Sequence, residues 1–181
     1  MRDRILRIER AVLRSLIVQV PFNLIRLALF RLYWFWGRIR FGVLVRNRGL
    51  GCVCAPDNEL KYPVNLTLGE RVIIGTNVSI GAHSAITIGD DVRISRDVMI
   101  ETAGLNFRSS QPPYEHTSKP IRIHSGVWIG ARSIILGGVT IGENAVIAAG
   151  SVVSRSVKSG DIVAGVPARP VGHINEGSGV E

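Results

Sequence analysis

Four histidines stand in the chain, at His83, His116, His124 and His173, and histidine is the side chain best suited to moving protons near neutrality. His83 lies in IGAHSA and His116 in PYEHTSKP, directly after Glu115. A neutral imidazole can take the proton of a hydroxyl as its oxygen attacks an electrophile, which contributes about 10²–10⁴ in rate. Glu101 offers a carboxylate for the same task, or for orienting His83. Asn106 offers an amide to a substrate hydroxyl or carbonyl. Glu101, Asn106 and His116 share one polar, Pro-containing segment, ETAGLNFRSSQPPYEHTSKP at 101–120, which reads as a functional loop. Plainer readings stay open beside these: a solvent-facing turn for His83, a solvated loop for His116, a surface acid for Glu101. His124 reads as turn surface and His173 as tail.

His83, His116 and His124 match a three-histidine zinc site in number but lack its local sequence context, so no metal is expected. Cys52 and Cys54, two residues apart, are poorly placed to bond each other and read as reduced thiols of a cytoplasmic protein. The balance of 46% apolar and 20% charged residues is globular. The net charge of +8 is unevenly spread. Residues 1–48 hold eleven Arg, no Lys and two acids, a net +9, and the rest of the chain is at −1. That asymmetry excludes a uniformly basic nucleic-acid-binding domain, and no nucleic-acid partner is expected.

The basic quarter is also apolar. Arg7, Arg10 and Arg14 recur at helical spacing between aliphatic residues, and Pro21 should end or kink that helix. A second amphipathic stretch, about Phe22 to Arg40, carries Tyr33, Trp34, Phe35 and Trp36. The longest run without a charge, Ser15 to Ile25, is shorter than the roughly 20 residues of a spanning helix, and no signal-peptide cleavage pattern follows. Basic heads, aliphatic bodies and a Trp/Tyr cluster fit helices lying in a membrane interface through residues 5–40. The same helices could instead pack on the protein's own body or on a sister subunit.

Residues 60–167 are an internal repeat. In sixes from Ile123 the chain reads IHSGVW, IGARSI, ILGGVT, IGENAV, IAAGSV, VSRSVK, and upstream the pattern starts at Leu68, Ile74, Ile80, Ile88, Ile94 and Ile100. First positions are aliphatic. Fifth positions are small, with Gly104 alone outside Ser, Thr, Ala and Val, and two extra residues sit between Ile80 and Ile88. Period six fits neither a helix nor an alternating hairpin. It fits a short strand and a turn, three of which make a triangular coil of about 18 residues, with coils stacked about 4.8 Å apart. First and fifth positions point into the prism.

These hexads, with VWIG, GVTIG, AVIAAGSVV and VAGVPAR in order, resemble the hexapeptide-repeat acyltransferases, and more narrowly the maltose, galactoside and polysaccharide O-acetyltransferases. The resemblance covers about 60–172. It implies an all-β fold, a left-handed parallel β-helix with an extruded loop at about 101–120, and the N-terminal amphipathic α-helices read from the residues precede it. The chain then divides into a basic helical segment at 1–48, the β-helix at 49–172 and a tail at 173–181. Residues 1–48 do not resemble the N-terminal region of the soluble sugar enzymes.

The resemblance also implies a chemistry: acyl transfer from a coenzyme A thioester, acetyl-CoA in the first instance, to a saccharide hydroxyl, at sites between the subunits of a homotrimer. Family members carry their catalytic histidine where this chain has Leu105, in Leu105-Asn106-Phe107, or Gly104 when the loop is counted back from KPI without a gap. His83 falls where sugar acetyltransferases carry an acceptor-contacting Asp. Ala131, Ala149, Ser154 and Arg155 stand where relatives touch coenzyme A, and Arg155 and Arg169 could meet its phosphates. A lipid-linked or polymeric saccharide, met by a cytoplasmic protein on the inner face of the membrane, would suit the basic N-terminus. The alternative is a non-catalytic trimer that kept the fold and lost the base at Leu105.

Overall fold

A six-residue period requires a strand, a turn and a third of a coil, and the backbone follows it. The computed structural model describes residues 15–108 and 112–174. Its strands stack in three faces. The first carries β1 (Asn47–Arg48), β4 (Leu66–Leu68), β7 (Ile86–Ile88), β12 (Ile121–Ile123) and β15 (Thr140–Ile141). The second carries β2 (Val53–Cys54), β5 (Ile73–Ile74), β8 (Arg93–Ile94), β13 (Trp128–Ile129), β16 (Val146–Ile147) and β18 (Asp161–Ala164). The third carries β3 (Glu59–Lys61), β6 (Ser79–Gly81), β9 (Met99–Glu101), β14 (Ile134–Leu136) and β17 (Val152–Val153). Neighbours within each face pair in parallel. β19 (Arg169–His173) folds back antiparallel on β18. β10 (Ala103–Asn106) and β11 (Glu115–Ser118) form a separate antiparallel hairpin.

The hexad positions sort as the period demands. The first positions, from Leu68 through Ile100 and from Ile123 through Val153, are all buried. Each such aliphatic side chain contributes about 1.5–3 kcal/mol relative to exposure. Fifth positions Val72, Val78, Val92, Val98, Val127, Ser133, Val139, Ala145, Ser151 and Val157 are buried too. Gly104 has left the coil for the hairpin.

Coil length departs from the expected 18 residues in the lower part. Thr140 stands over Arg122, a step of 18, but Thr67 stands over Asn47 and Thr87 over Thr67, steps of 20. Both surplus pairs fall at the corner that follows the third face, within 61–65 and 81–85. There the chain makes a 3-10 turn at Pro63–Asn65 after a left-handed Tyr62, a conformation no hexad pattern signals. The hairpin leaves from this same corner one coil later. We call this corner C, the corner between the first and second faces A, and that between the second and third B.

The helical segment also differs from expectation. Leu16–Leu44 is one helix, α1, and Pro21 does not end it. Pro21 sits near the start of α1, where it forfeits one backbone hydrogen bond, and the long aliphatic run beyond it sustains the helix. By length and composition α1 suffices to cross a membrane, although Arg26 and Arg31 fall within it. The expected helix through Arg7, Arg10 and Arg14 lies outside the described residues. The chain divides into two compact units, one ending at Trp36 and one beginning at Gly37. Within the second unit, Phe41 and Val45 join the β-helix core, and Arg40 donates to the carbonyls of Pro56 (2.7 Å) and Asn58 (3.0 Å). The end of α1 thus fastens to the first coil.

Candidate active site

Corner C collects most of the residues with chemistry. At its base Tyr62 stacks against His83, ring centroids 4.4 Å apart at 55°. Asn65 supports this turn, its Nδ2 donating to the Ala82 carbonyl at 2.9 Å. One coil up, Thr102 is buried and fastens the hairpin to the coil. Its hydroxyl donates to the Gly81 carbonyl (2.8 Å) and accepts from the Ser84 N–H (3.1 Å), while its carbonyl accepts from the Lys119 N–H (3.0 Å). The hydroxyls of Ser84 and Ser118 lie 2.6 Å apart and tie β11 to the same corner. Glu101 is half-buried and its carboxylate accepts the Ala103 N–H at 2.9 Å. Gly81 leaves the space that carboxylate occupies, since a Cβ there would overlap it.

The hairpin turns this anchorage outward. Its register sets Ala103 opposite Ser118, Leu105 opposite His116, and Asn106 opposite Glu115. At the outer end Phe107 meets Tyr114 edge to face, 5.3 Å between centroids, and the Asn106 side chain accepts the Arg108 N–H at 3.2 Å. Two coils above Glu101, Ser154 and Arg155 follow β17 at corner C, both exposed. At about 4.8 Å per coil they stand roughly 10 Å further along the prism.

The other expected contact residues lie elsewhere. Ala131 and Ala149 occupy corner B, and exposed Arg169 opens β19 on the second face. Gly130 sits against the Ala149 amide so closely that a Cβ would meet it at 2.6 Å, and a Cβ on Gly150 would meet nothing within 4 Å. The coils therefore pack tightly at Gly130, and the corner presents open backbone at Gly150. Beside it, Asp97 accepts from the Asn77 amide (2.8 Å) and pairs with Arg132 (3.7 Å). That amide, then Arg132 and Arg96, hold its carboxyl below the ordinary range. His124 is at corner A, and His173 is on β19 with Nε2 3.3 Å from the Ser159 carbonyl. The histidines are thus dispersed, and among the described residues no group of three or more His, Cys, Asp or Glu could hold a metal ion.

One chain brings together His83, Glu101, Leu105, Asn106, His116, Ser154 and Arg155 along one corner. It does not bring Ala131 and Ala149 to them. Residues not singled out from sequence, namely Thr102, Ser84, Ser118 and Tyr62, position the corner. Ser84 carried a faint signal as a polar fifth position; the others carried none.

Comparison with known proteins agrees with this architecture. Residues 120–155 match the family described as bacterial transferase hexapeptide (six repeats). The chain is similar to a hexapeptide-repeat acetyltransferase of Vibrio cholerae solved in complex with acetyl-coenzyme A, at 32% identity and a TM-score of 0.70, over 76% of this chain and 77% of that one. The chain belongs to the hexapeptide-repeat acetyltransferase family. Its coil is accordingly that family's left-handed parallel β-helix. A galactoside acetyltransferase in complex with coenzyme A superposes with a TM-score of 0.68 at 32% identity, over 76% of this chain and 70% of that one. In sequence, the galactoside O-acetyltransferase of Escherichia coli is 35% identical over 122 residues, which cover 67% of this chain and 60% of that protein. The chain spans about three fifths of the length of the first curated relatives it matches, 60%, 58% and 64%.

Proposed function

We propose that this family member is an acyl-CoA-dependent O-acyltransferase, using acetyl-CoA, that acts on a saccharide at sites between the copies of a homotrimer. One observation carries the reading. The contact residues divide between two corners of one prism, Ala131 and Ala149 at B and Ser154, Arg155 and the hairpin at C. A three-fold axis would set corner B of one copy against corner C of the next and close a groove between them. The outward faces support such packing: Val53, Ile73 and Trp128 on the second and Met99 and Leu136 on the third are exposed apolar residues. The open backbone of corner B suits a pantetheine arm, and the guanidinium groups of Arg155 and Arg169 suit phosphate. Bound there, coenzyme A would supply an acyl group activated as a thioester. The chain's own task would be to orient the acceptor at the hairpin and take its hydroxyl proton.

The acceptor in this reading is a lipid-linked or growing polysaccharide met at the inner face of the membrane by a cytoplasmic protein. α1 supports it. Its 29 residues include no acid, and its exposed apolar side chains, Ile17, Phe22, Leu24, Leu29, Leu32 and Phe35 among them, lie all round the helix. Trp34 and Trp36 precede Arg38 and Arg40. Both flanks are arginine-rich, which favours a helix lying on one surface over one that crosses.

Leu105 favours a second reading, a trimer that binds coenzyme A without transferring from it. Incubation with acetyl-CoA and a panel of glycans, with detection of free thiol, separates the two. Turnover supports transfer. Calorimetric coenzyme A binding without turnover supports the second reading, and neither binding nor turnover refutes both.

A further inference from the structure

We propose that His116 is the general base, supplying from β11 the imidazole that Leu105 on β10 does not. This rests on the acyltransferase reading and deepens it. Residues directly opposite in an antiparallel pair project from the same face, with Cβ atoms about 4.5–5.5 Å apart. Leu105 and His116 are such a pair. An imidazole at either position is therefore offered to the same space. Alternation along β11 puts Ser118 on that face too, and the Ser118 hydroxyl lies 2.6 Å from that of Ser84. The face that carries His116 is thus pinned toward corner C, beside the turn that holds His83. His116 and Leu105 are both exposed, so a substrate can reach them.

The other candidates are held against the coil or remote. The His83 ring packs tilted against Tyr62, and the Glu101 carboxylate accepts the Ala103 N–H at the root of the hairpin. His124 is at corner A, and His173 lies by Ser159. In the proposed step, an imidazole nitrogen of His116 takes the proton of the acceptor hydroxyl as its oxygen bonds to the thioester carbonyl carbon. The tetrahedral adduct collapses with cleavage of the C–S bond. The imidazolium proton passes to the departing thiolate, leaving an O-acyl ester and the coenzyme A thiol.

Second-site replacement tests this. Initial rates are measured with acetyl-CoA and 4-nitrophenyl β-galactoside or N-acetylglucosamine, whichever the wild type turns over faster, and coenzyme A binding is measured separately by calorimetry. His116→Ala should lower kcat by about 10²–10⁴-fold and leave the coenzyme A Kd within about 2-fold. It should also lose the ascending limb of the pH–rate profile. Adding Leu105→His to His116→Ala should restore at least a tenfold rate and return that limb, which a merely structural role for His116 could not do. A His116→Ala rate within about 3-fold of wild type overturns the proposal, as does an inactive His116→Ala that Leu105→His fails to rescue. If His83→Ala alone abolishes turnover and His116→Ala does not, the base is His83. Wild type that neither turns over nor binds coenzyme A removes the acyltransferase reading itself, and this inference with it.

Discussion

Thr102 is the residue on which the hairpin's placement turns, and replacing it with valine isolates the hydroxyl at nearly constant shape. Two hydrogen bonds disappear in Thr102→Val: that to the Gly81 carbonyl at 2.8 Å and that from the Ser84 N–H at 3.1 Å. Gly81 keeps a partner, because its carbonyl also accepts the Thr102 N–H at 3.1 Å. That side of the exchange costs about 0.5–1.5 kcal/mol. The Ser84 N–H has no such second partner among the described contacts, and a poorly solvated orphan donor costs about 1–3 kcal/mol. Together the loss is about 1.5–4.5 kcal/mol. Thr102→Ser keeps both bonds and loses one methyl group, about 0.8 kcal/mol. Urea unfolding of the purified variants, followed by far-UV circular dichroism, measures both. Ser84 and Thr102 also bracket the turn of His83 and the root of the hairpin, so Thr102→Val should lower kcat/KM by more than its stability loss explains. A displacement of about 1 Å at the reacting groups suffices for a 10²-fold loss. If Thr102→Val unfolds within 0.5 kcal/mol of wild type (about the scatter of a neutral substitution), the hydroxyl does not fasten the hairpin and the positioning account fails.

Other expectations follow from the same structure. The full chain should sediment with phosphatidylglycerol vesicles at 0.1 M salt and much less at 1 M; Arg26→Gln with Arg31→Gln should weaken partition by roughly 30-fold, at about 1 kcal/mol per charge. Equal binding to phosphatidylcholine vesicles, or none to either, would remove the membrane-surface role of α1. Asp97 has a folded pKa below its unfolded one, so its stabilisation is complete above the ordinary carboxylate range and is lost as pH falls through the folded value. The stability gap between wild type and Asp97→Asn should therefore close below about pH 4, and parallel pH–stability curves would contradict the assigned cause. Burial, the largest influence, raises the Cys54 thiol above its ordinary pKa, despite the opposing Asn58 amide. Iodoacetamide at pH 8 should label Cys52 well ahead of Cys54 in the native protein, and equal rates would mean that the first coil opens readily.

The hairpin shows where sequence reading stopped. The segment 101–120 was legible as an excursion because it breaks the hexad period, and its polar residues marked it as functional. The opposition of Leu105 and His116 was not legible, because a register depends on where the turn falls, and several turns were compatible with LNFRSSQPPYEH. Tyr62 and Thr102 gave no signal for a related reason. Each acts through contacts with residues 17–21 positions away, across stacked coils. Pro21 misled in the other direction: local backbone preference called for a break, and the long apolar helix runs through the proline despite the lost hydrogen bond.

Read alone, the sequence determined the prism. A periodic run of aliphatic and small residues has one economical way to bury every sixth side chain, so the core and the three faces of the repeat follow from spacing along the chain, while most of the first coil, 47–61, lies outside that repeat. Tertiary structure decided which corner each polar residue occupies and which residues meet across the hairpin. Those relations join positions distant in sequence, and they depend on 20-residue coils and a strand register that no local pattern encodes.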